Sequence, residues 1–242
     1  SVSVYGTYEA QRLPRIHEIA VSLPKLPPEF SGFKIVLLSD IHISASRRAD
    51  YAEALVKRVN ALSPDLILIT GDFIDGLVSE RSADIAPLAG LSAPYGVCGV
   101  LGNHEYYFNA KEWKDFLEGS LGIKILLNEH RLIERGGKNI AVAGVADLAA
   151  LRFANAEAPD VKKALAGVAA GVPKIILDHQ PGAAKRNAAA GADLQLSGHT
   201  HGGMVPGLSQ LVKKFNAGYV NGWYEVDGMK LYVSPGTGIW NG

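Results

Sequence analysis

The sequence predicts a layered α/β fold, and three patterns predict it. Short apolar runs that end abruptly in polar residues recur along the chain, helical repeats lie between them, and two later segments carry hairpin signals. In the first pattern, Ile35–Leu38 runs into Ser39-Asp40, Leu66–Thr70 into Gly71-Asp72 and Val97–Leu101 into Gly102-Asn103-His104. Ile175–Leu177 runs into Asp178-His179, and Leu194–Leu196 into Ser197-Gly198-His199. Continuous apolar runs this short read as strands buried on both faces.

The helical repeats come next. From Arg48 to Leu62, the residues Tyr51, Leu55, Val59 and Leu62 share one face, and Pro64 follows the end. Asn109 and Glu112 have capping-box spacing ahead of Trp113, Phe116 and Leu117. The Ala-rich stretches Asp160–Ala170 and Gly182–Ala190 read as helices too. Strands alternating with helices imply βαβ units. In contrast, Leu127–Val145 carries Gly136-Gly137 between apolar runs, and Tyr219–Val233 carries Asp227-Gly228, both hairpin signals. The second half therefore reads as more mixed than the first. No repeat or interdomain linker appears, so residues 1–242 read as one domain.

Composition narrows the function. Lys plus Arg equals Asp plus Glu at 24 each, so no net field favours nucleic acid or an acidic membrane. The single Cys98 cannot form an internal disulfide. No apolar run approaches the ~20 residues needed to span a bilayer. The chain begins at Ser1 rather than Met, as a processed form would.

Five of the seven histidines fall at these predicted strand ends: His42, His104, His179, His199 and His201. Asp40, Asp72 and Asn103 occupy equivalent positions. In open α/β sheets ligands bind outside the carboxyl ends of the strands, so eight ligands or proton carriers converge along one edge. Carboxylate and amide oxygens mixed with imidazoles, without thiolate, suit Mn, Fe, Zn or a similar divalent ion. A carboxylate shared by two ions ~3.5–4 Å apart suits in-line displacement at phosphorus. Each motif alone is weak, since Asp40-Ile41-His42 or Gly71-Asp72 could be a polar turn. Five in this order, each after an apolar run, make that explanation untenable. His17 and His130 lack such context and read as surface or strand residues.

Together these motifs resemble the calcineurin-like metallophosphoesterase superfamily, whose pattern runs D-x-H, G-D, G-N-H-[DE], H, G-H-x-H. Within it, Tyr5–Ala10, Leu38–His42 and Gly198–Gly203 resemble the bacterial phosphodiesterase branch related to YaeI and YkuE. The resemblance implies a four-layer α/β/β/α sandwich, two mixed sheets flanked by helices. It implies that Asp40, His42 and His201 hold one divalent metal, that Asn103, His179 and His199 hold a second, and that Asp72 bridges both. His104 is then the general acid. Met204 and Ser234–Gly238 depart from the branch, where a Gln and an Arg-bearing segment are common.

The implied reaction is hydrolysis of a phosphodiester or pyrophosphate by a water activated between two cations. No Ser or Cys stands in a nucleophile motif, in keeping with direct attack by water. The expected partner is a small phosphoester or a lipid-linked nucleotide. A UDP-sugar-lipid pyrophosphatase and a phosphomonoesterase are alternatives with the same site. A non-catalytic scaffold would have lost ligands, and a nuclease would show a basic stripe. Tyr106, Tyr107, Phe108, Tyr219, Trp223, Tyr224 and Trp240 could line an apolar cleft or pack in the core. The resemblance further implies a full-length protein that is membrane-associated or exported.

Overall fold

The computed structural model describes residues 13–203 and 209–238. The first apolar runs form a four-stranded parallel sheet in the order β1 (Ile35–Leu38), β2 (Leu66–Ile69), β3 (Val97–Gly99) and β4 (Lys124–Ile125). Parallel neighbours need crossovers, and helices supply them. These are α1 (Ala49–Ala61), α2 (Val78–Ile85), and then α3 (Asn103–Tyr107) followed by α4 (Ala110–Gly119). In α1 the predicted face is buried at Tyr51, Leu55 and Val59. In α4 the Asn109 side chain accepts from Glu112 N, and Trp113 and Leu117 turn inward.

The later segments build a six-stranded mixed sheet in the order β5 (Glu129–Arg135), β6 (Lys138–Gly144), β7 (Lys174–Leu177), β8 (Leu194–Ser197), β10 (Met229–Val233) and β9 (Gly222–Val226). β5 and β6 form the hairpin predicted around Gly136-Gly137, and β9 and β10 the one around Asp227-Gly228. Asp227 (φ 51°) and Gly228 (φ 83°) are both left-handed, as a tight hairpin turn of matching twist requires. Among the described residues this half of the chain also forms α5 (Val161–Ala164), α6 (Ala184–Ala189) and α7 (Ser209–Phe215).

Three apolar clusters separate four layers. Leu66, Leu68, Cys98 and Val100 of the first sheet pack against Val142, Ile175, Leu177 and Leu196 of the second. Ile67, Ile69 and Val97, on the opposite face of the first sheet, meet α1, α2 and α4. Ala143, Ile176 and Leu231, on the outer face of the second, meet α5 and α6. The predicted α/β/β/α order is therefore observed.

Two expectations change. β1 is an edge strand, and Ile35, Val36 and Leu37 are only half-buried, whereas β2 is buried throughout. The helix predicted over Asp160–Ala170 shrinks to Val161–Ala164. Asp160 caps it by accepting from Lys163 N (2.9 Å), and Gly167 turns left-handed (φ 82°) soon after Leu165. His17 is exposed, and His130 lies on β5 against the Ala164 carbonyl (2.8 Å). Tyr5–Ala10, Met204, Trp240 and Gly242 lie outside the described residues.

Candidate metal centre

The carboxyl ends of both sheets open onto one site. Asp40 and His42 follow β1, Asp72 follows β2, and Asn103 opens α3 after β3, with His104 next to it. From the second sheet, His179 follows β7, while His199 and His201 follow β8. All eight expected residues converge, on the joint edge of two sheets rather than one.

Two groups of expected ligands lie about Asp72. Asp40, His42 and His201 offer donors within 4.8 Å of one another, as do Asp72, His179 and His199, and a third such group joins His42 to Asp75 and His104. His42 Nε2 lies 3.1 Å from His201 Nε2, which lies 3.5 Å from Asp40 Oδ1. On the other side His179 Nε2 lies 3.0 Å from Asn103 Oδ1. Asp72 Oδ2 faces both groups, 3.2 Å from His179 Nε2 and 3.7 Å from His42 Nε2. Its other oxygen accepts from His104 N at 2.9 Å, which fixes the carboxylate plane.

The backbone is strained where these side chains are aimed. Asp40, His42, Asp72, His199 and His201 all have left-handed φ between 47° and 70°. Non-glycine residues rarely adopt it, and such outliers gather where a site over-determines the chain. Two glycines permit the close approach. A Cβ on Gly102 would collide with Asp72 Oδ1, and one on Gly198 with Ser39 Oγ and Asp40 Oδ2.

Hydrogen bonds hold the loops. Glu105, fully buried, accepts from Gly102 N (2.7 Å), Asp72 N (3.0 Å), Phe73 N (2.8 Å) and Ile74 N (3.3 Å). Burial, and Asp72 nearby, push its pKa up, while these N–H groups favour the ionised form. Asp40 accepts from His199 N (2.9 Å) and from Ser39 Oγ. The 234–238 segment closes over it, with Thr237 N donating to Ser39 O (2.6 Å) and Gly238 N to Asp40 O (2.8 Å).

Asp75 acquires a role that its sequence context hid. Its Oδ1 lies 3.0 Å from His42 Nδ1 and 2.5 Å from His104 Nδ1. A carboxylate there takes the Nδ1–H of each ring and turns both Nε2 atoms toward Asp72. The Thr70 carbonyl does the same for His179 Nδ1 at 2.7 Å. The signal available in sequence was the second acid of Gly71-Asp72-Phe73-Ile74-Asp75.

Electrostatics favours cations. The ion-pair partners of Asp40 and Asp72 among the described residues are all histidines. Against its burial, Asp72 is held far below the usual carboxylate range, chiefly by His179. In turn Asp72 raises His179 well above the usual imidazole range despite burial. Asp75 sits at about 2 despite burial, through its bonds to His104 and His42. Burial and the charge on His179 push His199 down to about 3, so its lone pair is free for a Lewis acid. Such a carboxylate-rich cavity with imidazole and amide donors fits divalent first-row metals, which would displace the protons held here.

Comparison with known proteins bears on the same residues. The family profile described as calcineurin-like phosphoesterase matches residues 33–203. The chain belongs to that family. It is 36% identical over 248 residues to a transmembrane protein with metallophosphoesterase domain from Danio rerio, a match covering 99% of this chain and 56% of that protein. An uncharacterized metallophosphoesterase of Bacillus subtilis, YkuE, is 29% identical over 242 residues, covering 97% and 82%. The chain spans 55–61% of the length of several such relatives. A 5'-nucleotidase precursor from Thermus thermophilus aligns over 83% of this chain and 48% of its own, with a TM-score of 0.54 and 20% identity, which shows a shared fold. No helix among the described residues is long and apolar enough to cross a membrane.

Proposed function

We propose that this chain hydrolyses phosphodiester or pyrophosphate bonds with two divalent metals. Asp40, His42 and His201 would hold one, Asn103, His179 and His199 the other, and Asp72 both. The observation that carries the reading is Asp72 Oδ2, within 3.2 Å of one donor group and 3.7 Å of the other. When bound, two cations neutralise phosphate oxygens and acidify a water.

The chain's own groups do the rest. His104 Nε2 lies 3.9 Å from Asp72 Oδ2, at the edge of the donor groups. Against burial, its bond to Asp75 and the nearby Asp72 raise its pKa above the ordinary imidazole value, which favours the protonated form that a general acid needs. It gives that proton to the departing oxygen as the P–O bond to the leaving group breaks. The new P–O bond comes from water, whose proton passes to solvent. Asp75 holds the His104 tautomer, and Glu105 holds Asp72 and Asn103 in register. For the full-length protein we propose work at a membrane, with support from relatives named as transmembrane proteins.

The test is turnover of bis-p-nitrophenyl phosphate, p-nitrophenyl phosphate and nucleotide-sugar pyrophosphates, before and after chelation. Chelation is expected to abolish activity, Mn to restore it, and diester or pyrophosphate to exceed monoester. Full activity in a sample shown metal-free by elemental analysis would overturn the reading. A monoester preference would move it to a phosphomonoesterase.

A further inference from the structure

The 3-10 turn Leu148–Arg152 is amphipathic the wrong way round. Its small residues Ala149 and Ala150 pack into the core beside Tyr106, while Leu148 (36% exposed), Leu151 (66%) and the following Phe153 (40%) face solvent. A turn selected only for packing would bury its leucines. Exposed apolar residues standing singly mean little, but a contiguous set marks a binding surface.

The set adjoins the metal centre. Asp147, which caps the turn, accepts from Gln180 Nε2 at 2.9 and 3.0 Å, and Gln180 follows His179. Phe153 lies 6.3 Å from the Tyr106 ring on α3, and Tyr107, 48% exposed, lies 5.7 Å from the His104 ring. Arg152, also exposed, adds positive charge to the patch.

Resting on the hydrolytic reading of this site, we infer that Leu148, Leu151, Phe153 and Tyr107 form a subsite for an alkyl or acyl chain on the phosphoester substrate. The turn packs against α3, the helix that carries Asn103 and His104, so an occupant of the patch lies beside the candidate metal centre. One amphiphilic, anionic ester satisfies both, with its charge complementary to Arg152. A protein partner would match the apolar surface without using its adjacency to His104 and His179.

The probes are p-nitrophenyl ethyl phosphate and p-nitrophenyl decyl phosphate, both below the micelle concentration. In each, water forms one P–O bond as the bond to p-nitrophenolate breaks, leaving an alkyl phosphate. Only the alkyl group differs. Burying several methylenes predicts kcat/KM at least about tenfold higher for the decyl ester. In Leu151→Ser and Phe153→Ser that ratio is expected to fall toward one. Taking it within each preparation cancels any loss of folded protein. Leu132→Ser, an exposed leucine on β5, is expected to leave the ratio unchanged. Calorimetry with decylphosphonate against ethylphosphonate gives a readout without turnover.

No chain-length preference, or one that both variants retain, overturns the subsite. So does a change in sedimentation of the variants showing that a second copy covers the patch. Turnover of bis-p-nitrophenyl phosphate without a decyl preference leaves the hydrolytic reading standing. Loss of turnover on every ester in the metal-loaded protein removes that reading and this one together.

Discussion

At Asp75 one carboxylate oxygen serves two imidazoles of different duty, the candidate ligand His42 and the candidate acid His104. General-acid help typically contributes ~10²–10⁴-fold, and it shrinks as the leaving group becomes more acidic. His104→Ala is therefore expected to keep its metals and lose far more activity on alkyl esters than on p-nitrophenyl esters. His199→Ala is expected to weaken one metal and slow all esters alike. Rate against leaving-group pKa, with metal content measured alongside, separates the two. Equal losses on both ester types in His104→Ala would show that His104 binds phosphate rather than donating a proton. His104 was legible from its motif. Asp75 was visible only as a distant second acid near Asp72, because three residues of spacing do not reveal which rings a carboxylate will meet.

At the junction of β7 and α6 lies a buried polar cluster, next to His179 in the chain. Asn187 Nδ2 donates to Asp178 Oδ2 (2.8 Å) and to Gln195 Oε1 (3.0 Å), and Ser197 Oγ donates to the Asp178 carbonyl (2.6 Å). Burial pushes Asp178 up to about 7. In the unfolded chain its carboxyl titrates near about 3.9. Between about pH 4 and pH 7 the folded state thus keeps a proton that the unfolded state releases. Stability falls as pH rises through that window, and the loss is complete above it. Asp178→Asn cannot ionise. It is expected to gain on the order of 4 kcal/mol over the parent at about pH 8 and little at about pH 4. Urea melts at both pH values check this. An equal gain at both would exclude ionisation as the cause. In sequence, Asp178 reads as a polar neighbour of His179, since its burial depends on α6 lying over it.

Across the whole molecule, the first sheet supplies Asp40, His42, Asp72 and Asn103, and the second supplies His179, His199 and His201. Bound cations would pin two packed sheets to each other. Free metal at 100-fold its Kd stabilises by about 2.7 kcal/mol per site. For a chain of this size that raises Tm by about 5–10 °C per site. Mn is expected to raise Tm in the parent and to do little in Asp72→Ala, where the shared carboxylate is gone. Two bound ions per chain and an undiminished rise in Asp72→Ala would remove Asp72 from its bridging role. By itself the sequence determined the strand runs, both hairpins, the ordering of the motifs and the kinds of ligand. Those are properties of residue type and spacing, which local stereochemistry and donor chemistry govern. Only the tertiary structure decided that the motifs end on two sheets facing one site, that Glu105 binds four backbone N–H groups, and that Leu148, Leu151 and Phe153 are left uncovered. Each of these depends on which distant surface packs against a segment, and no periodicity within that segment encodes it.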